Sequence, residues 1–209
     1  DPAVYGIPQY VADMMVLIAR LDVDSVAWLG TSMGGLIGMA LASLEHSPVS
    51  RLLLNDVGPV LSSESIRRIG DYIGRAPAFD TLDDAERYIR LVSAPFGALS
   101  DVQWRQLTES SLRQRADGRF EMRYDPAIAD AFRRATAVDI DLWPVYERVR
   151  CPTWVLRGAN SDLLTPATVA AMAVRGPCAH VVEVPAVGHA PMFMDAQQIA
   201  LVCDFLDAG

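Results

Sequence analysis

The stretch that decides the fold is "WLGTSMGGLIG", Trp28 to Gly38. Within it, Gly30-Thr31-Ser32-Met33-Gly34 fits the pattern G-x-S-x-G, in which a serine sits on a sharp turn between a strand and a helix. The flanks supply that context. Ser25 to Leu29 is a short apolar run ending in glycine, read as a strand buried on both faces. From Met33 to Leu44 the pattern turns helical, and Gly35, Gly38 and Ala42 place small residues where the helix can approach a sheet closely. A serine on so sharp a turn takes up a strained backbone, and side chains two positions away on either side would collide with strand and helix. The helix N-terminus behind Ser32 puts partial positive charge where an oxyanion would form, with the Met33 N–H as one donor.

Outward from this stretch the chain alternates. Ile7 to Leu21 reads as an amphipathic helix with Val11, Met14, Met15, Ile18 and Leu21 in one buried stripe, and Arg51 to Asn55 ("RLLLN") as a second buried strand turning at Asp56-Val57-Gly58-Pro59. Residues 60–144 change character: rich in arginine and acids, they read as four or five short helices, with no strand longer than Arg119 to Tyr124. Helix starts are signalled by Thr81 with Asp84, Ser100 with Gln103, and Asp125 before Pro126. From Cys151 the alternation returns, with strands Thr153 to Leu156 and His180 to Val184. A helix capped at Thr165 runs to about Val174, and a last one opens at Asp195 and ends near Leu206. Strands alternating with helices predict an α/β fold with a mostly parallel sheet. The expected division is a first core part over 1–59, a helical insertion over 60–144 and a second core part over 145–209.

Composition narrows the partners. The chain has 209 residues, 18 basic against 26 acidic side chains and a formal charge of −8, which repels polyanions and argues against nucleic acid and anionic membranes. No run of 18 apolar residues suits a membrane span. Cys151, Cys178 and Cys203 lack metal or redox spacing and read as small buried hydrophobes of a reducing compartment, hence a cytoplasmic expectation. A small-molecule substrate is the expected partner, with homo-oligomerisation left open.

A serine hydroxyl needs a base to take its proton, and the sequence holds three histidines. His46 follows the helix that starts at Met33, and His180 begins a strand. His189, in the loop "PAVGHAPMF" between the last strand and last helix, lies on the sheet edge that carries Ser32, and is the candidate base. An acid must orient that base. Asp162, in "LRGANSDLLTP" after the strand Thr153 to Leu156, is the preferred candidate; Asp56, at the end of the preceding strand, competes from the same edge.

With these residues in place the sequence resembles the α/β-hydrolase superfamily. "GTSMGG" is similar to its nucleophile elbow, "RGANSDLLTP" to its acid loop and "VGHAP" to its histidine loop, and the order Ser32, Asp162, His189 matches. The resemblance implies a serine hydrolase with an inserted helical cap, acting on a small ester through an acyl-enzyme and needing no metal or organic cofactor. Carbon–carbon hydrolysis, lactone opening, acyl transfer and non-catalytic ligand binding occur on the same fold. It further implies about four strands, roughly 60–90 residues, ahead of Ile7, bearing an HG-type loop with the second oxyanion donor. No such motif precedes Ser32, so the chain by itself is expected to expose the Val26 to Leu29 edge and to lose about 10²–10³ in rate. For the substrate pocket, Leu163 and Met192 are candidates by adjacency, and Phe96, Trp104 and Trp143 as apolar walls.

Overall fold

The computed structural model describes residues 1–75, 77–130 and 138–208. Its frame is a sheet of β1 (Val26–Thr31), β2 (Val49–Asn55), β8 (Thr153–Gly158) and β9 (His180–Val184), in the order β1-β2-β8-β9. All three pairings are parallel, as the alternation predicted. Four parallel strands put all their carboxyl ends on one edge, so Thr31, Asn55 and Gly158 end together and the loops after them share a rim.

The helices that cover this sheet are α1 (Ile7–Ala19), α2 (Met33–Ala42), α7 (Pro166–Met172) and α8 (Ala196–Asp207), numbering helices in chain order. Thr165 and Asp195 cap the last two as expected, each side chain accepting from a backbone N–H three residues on. The close approach read from the small residues of α2 is real. A Cβ at Gly38 would lie 2.3 Å from the Trp28 indole, and one at Gly35 would lie 2.4 Å from Val57 Cγ1. Overpacking of this kind costs about 1–3 kcal/mol, so glycine there sets the distance between helix and sheet. The Trp28 indole N–H then donates to the Gly34 carbonyl at 3.0 Å, tying strand to helix.

Three expectations need correction. The stripe on α1 is narrower than its periodicity: Ile18 is buried, Val11 and Met14 pack partly on the core, and Met15 and Leu21 are exposed. Strand β1 is half-buried rather than enclosed on both faces; among the described strands it stands at the end of the sheet, beside β2. Cys178 and Cys203 are exposed; Cys151 alone is partly buried, which pushes its thiol pKa up.

Between Val60 and Asp141 no described residue joins this sheet. The segment holds α3 (Ser63–Tyr72), α4 (Leu82–Val92) and α5 (Asp101–Ser111), capped by Ser62, Thr81 and Ser100, the last with the full capping box to Gln103. Short ladders supplement the expected helices. Strands β3 (Val60–Leu61) and β7 (Ile140–Asp141) pair antiparallel, and β4 (Ala78–Phe79), β5 (Leu112–Gln114) and β6 (Phe120–Met122) form a second small sheet. Runs of two or three residues are too short to print an alternating pattern, which is why only the Arg119–Tyr124 piece was visible. The helix start at Asp125-Pro126 leads into residues 131–137, outside the described residues. A short helix α6 (Trp143–Tyr146) leads back to β8, with Tyr146 fully buried and its hydroxyl donating to the Met172 carbonyl.

Candidate active site

Ser32 occupies the turn between β1 and α2 with φ 52° and ψ −118°, a conformation that non-glycine residues avoid and that costs on the order of 1–3 kcal/mol. The flanking glycines divide the work unevenly. A Cβ at Gly30 would lie 2.2 Å from the Gly34 carbonyl oxygen, so any side chain there is barred. Gly34 has open space instead; the second sterically required glycine is Gly35, whose Cβ would also lie 2.9 Å from the Gly30 carbonyl. The Met33 N–H lies in the first turn of α2, where amides have no intrahelical acceptor, as an oxyanion donor requires.

His189 joins this serine to a carboxylate. Its Nε2 is 3.0 Å from Ser32 Oγ and its Nδ1 is 2.7 Å from Asp56 Oδ2. A carboxylate only accepts, so Nδ1 carries the proton and Nε2 is left to accept from the serine hydroxyl. The carboxylate that meets His189 is therefore Asp56, not the preferred Asp162. Asp56 follows β2 with φ 54° and is fully buried, and the side chain of His189 is 14% exposed. Two further donors hold the carboxylate: the Gly158 N–H reaches Oδ1 at 2.8 Å and the Ser161 hydroxyl reaches Oδ2 at 2.6 Å. Three donors, from β8, its loop and the histidine, fix the plane in which Nδ1 is met.

Asp162 turns the other way. Its carboxylate forms a bidentate ion pair with Arg68 of α3 at 2.5 and 2.9 Å, with both side chains about half exposed at 42% and 54%. The loop geometry explains the choice. Ser161 Oγ accepts from the N–H groups of Leu163 and Leu164, and buried Arg157 donates to the Leu164 carbonyl, so the loop is pinned with Ser161 inward and its neighbour outward. Ser161 and Gly158 were missed in the sequence because neither residue type carries a charge or a motif role. His46 is exposed, and His180 is exposed and packs its ring at a tilt against Trp154, away from Ser32.

A cavity of about 540 Å³ opens over this site. Ser32, Met33 and His189 contribute to its lining, and Ile66, Ile69 and Ile73, at helical spacing along α3 and just past its end, face it with Leu163. Leu163 is thus placed as expected, whereas Met192, Phe96, Trp104 and Trp143 do not line it. Trp104 is buried beneath the Arg90 guanidinium, and Trp143 packs edge-on to Tyr146 under Arg175; both rings complete local packing. Tyr5 and Tyr10 stand at the same cavity, and the Tyr5 hydroxyl donates to Asp125 at 2.7 Å. That bond raises the Tyr5 pKa; the Ala127 N–H first, and Tyr5 second, hold the Asp125 carboxyl below the usual range.

Comparison with known proteins agrees with this fold. A family model described as "Alpha/beta hydrolase family" matches residues 1–201. The 3-hydroxybutyrate-oligomer hydrolase of Cupriavidus necator is 48% identical over 209 residues, covering 96% of this chain and 71% of that protein. An alpha/beta hydrolase structure from Novosphingobium aromaticivorans superposes with a TM-score of 0.89 at 32% identity, covering 100% of this chain and 74% of the other. E-2-(acetamidomethylene)succinate hydrolase shares the fold with a TM-score of 0.85 at 22% identity, over 99% of this chain and 76% of that one. An elbow serine, a histidine after the last strand and a parallel sheet beneath them come together with these matches: the chain belongs to the alpha/beta hydrolase family and is a hydrolase.

Proposed function

We propose that the protein is a serine esterase that cleaves short-chain hydroxyacyl esters through an acyl-enzyme, with Ser32, His189 and Asp56 as its catalytic residues. The observation that carries this reading is the single imidazole bridging Ser32 Oγ at 3.0 Å and the buried Asp56 carboxylate at 2.7 Å. Ser32 attacks the ester carbonyl while His189 Nε2 takes its proton; the Met33 N–H stabilises the oxyanion. His189 then protonates the leaving alcohol, activates water and releases the acid. Asp56 keeps the proton on Nδ1 and stabilises the imidazolium without taking that proton.

The substrate class rests on two supports. The relative from Cupriavidus necator acts on 3-hydroxybutyrate oligomers, whose repeating bond is an ester. The cavity over Ser32 has branched aliphatic walls at Ile66, Ile69 and Leu163, suited to a short methyl-bearing acyl chain. The test is hydrolysis of 3-hydroxybutyrate dimers and p-nitrophenyl acetate together with labelling by a fluorophosphonate probe. Ser32→Ala is expected to abolish labelling and to reduce turnover by about 10⁴-fold or more, with the fold intact by circular dichroism. Labelling that persists in Ser32→Ala, or the absence of ester turnover in the unsubstituted protein, would overturn the proposal.

A further inference from the structure

Asn55 is the last residue of β2 and is fully buried, directly after the apolar run Leu52 to Leu54. Its amide nitrogen donates to Thr31 Oγ1 at 2.9 Å and to the Pro191 carbonyl at 2.9 Å. The orientation is not arbitrary. A backbone carbonyl only accepts, so the nitrogen must face Pro191, and its second N–H then falls to the threonine hydroxyl. Each contact abuts a different member of the triad: Thr31 precedes Ser32, Asn55 precedes Asp56, and Pro191 follows His189 by two residues. The main chain adds to this junction, with the Ser32 N–H donating to the Asn55 carbonyl at 3.1 Å.

We propose that Asn55 is the positioning residue of this site, its amide tying the nucleophile turn, the acid strand and the histidine loop into one register. The cost of the arrangement supports the assignment. Among the described residues Asn55 Oδ1 is buried without a hydrogen-bond partner, a penalty that a side chain kept only to fill space would not carry. A position that only filled space between Leu54 and the histidine loop would be served better by another apolar side chain. The polar residue is explained by what its two donors hold. Ser32 Oγ and His189 Nε2 must stay at hydrogen-bond distance although their loops lie 157 residues apart in sequence, and misplacement by about 1 Å costs about 10²-fold in rate.

The proposal rests on the reading of Ser32 as nucleophile, and its test separates the two. Asn55→Leu keeps the branched outline, in a somewhat larger side chain, and removes both donors. In the folded protein kcat is expected to fall about 10–100-fold while KM stays within about 3-fold, and fluorophosphonate labelling slows in step with kcat. A purely structural role predicts a lower Tm with kcat per folded molecule preserved, and that result overturns the assignment. Thr31→Val, at an exposed position, removes one of the two acceptors and serves if Asn55→Leu does not fold. It is expected to lower kcat and labelling about 3–10-fold, and the double variant to be no worse than Asn55→Leu alone. A Thr31→Val protein labelled at the unsubstituted rate overturns the proposal as well. Failure of the unsubstituted protein to label at Ser32 would instead sink the esterase reading.

Discussion

Asp56 and Asp162 are the instructive pair. Both follow neighbouring parallel strands, both lie on the carboxyl edge of the sheet, and both make short charged contacts. One is fully buried and meets three donors from three different chain segments; the other is half exposed and meets a single arginine. Charged partners alone therefore do not single out the carboxylate that meets the histidine. A surface ion pair is worth about 0–1 kcal/mol, because water solvates both charges nearly as well as they solvate each other. A buried carboxylate persists only where its lone pairs are met, and meeting them leaves one geometry for the histidine.

The comparison is broken or confirmed most forcefully at Asp56. Asp56→Asn is expected to lower kcat/KM by about 10³–10⁴-fold, since the amide can leave His189 in the wrong tautomer. The same change turns an N–H towards one of the former donors and is expected to cost about 1–3 kcal/mol of stability by denaturant melts. If Asp162 could serve as the acid, it would still be present in this variant, and substantial activity would survive. That outcome would reverse the assignment.

Ser161→Ala probes the support rather than the acid. It removes the donor 2.6 Å from Asp56 Oδ2 and the acceptor for the Leu163 and Leu164 amides. The expected loss is about 10-fold in kcat/KM and about 1–2 kcal/mol in stability, measured on the same preparations. Unchanged kinetics would show that Gly158 and His189 suffice to hold the carboxylate.

The ease of reading the rest of the molecule follows from the range of the interactions involved. Ser32 and His189 were legible because each sits in a local pattern: a glycine-flanked turn after an apolar run, and a glycine-bearing loop between strand and helix. The parallel sheet was legible because Leu52 to Leu54 and Val155 to Leu156 are continuous apolar runs, as burial on both faces requires. Choosing between Asp56 and Asp162 was another matter. It depends on which way the loop after β8 turns, and that is decided by Arg157 and by Ser161, whose side chain points inward. Asn55 was hidden for a related reason: a polar residue closing an apolar strand reads as the strand's end until its partners at Thr31 and Pro191 are seen. The two- and three-residue strands of the intervening segment carry too few positions for any period.

The smallest expected effect is at Asp162 itself. In Asp162→Asn the amide can keep one contact with Arg68 and loses the other together with the charge, at a site where both side chains are about half in water. Activity on a short ester is expected to stay within about 2-fold and stability within about 1 kcal/mol. A residual effect, if seen, should appear in KM rather than kcat. Arg68 belongs to α3, which also carries Ile66 and Ile69 into the cavity, so loosening the pair frees a wall of the pocket without touching His189. Raising the salt concentration should reproduce that KM shift in the unsubstituted protein and leave Asp162→Asn unmoved, because screening weakens an exposed pair that the variant no longer has. A fall in kcat at Asp162→Asn comparable with that at Asp56→Asn would mean that the two carboxylates act together, and the contrast between them would fail.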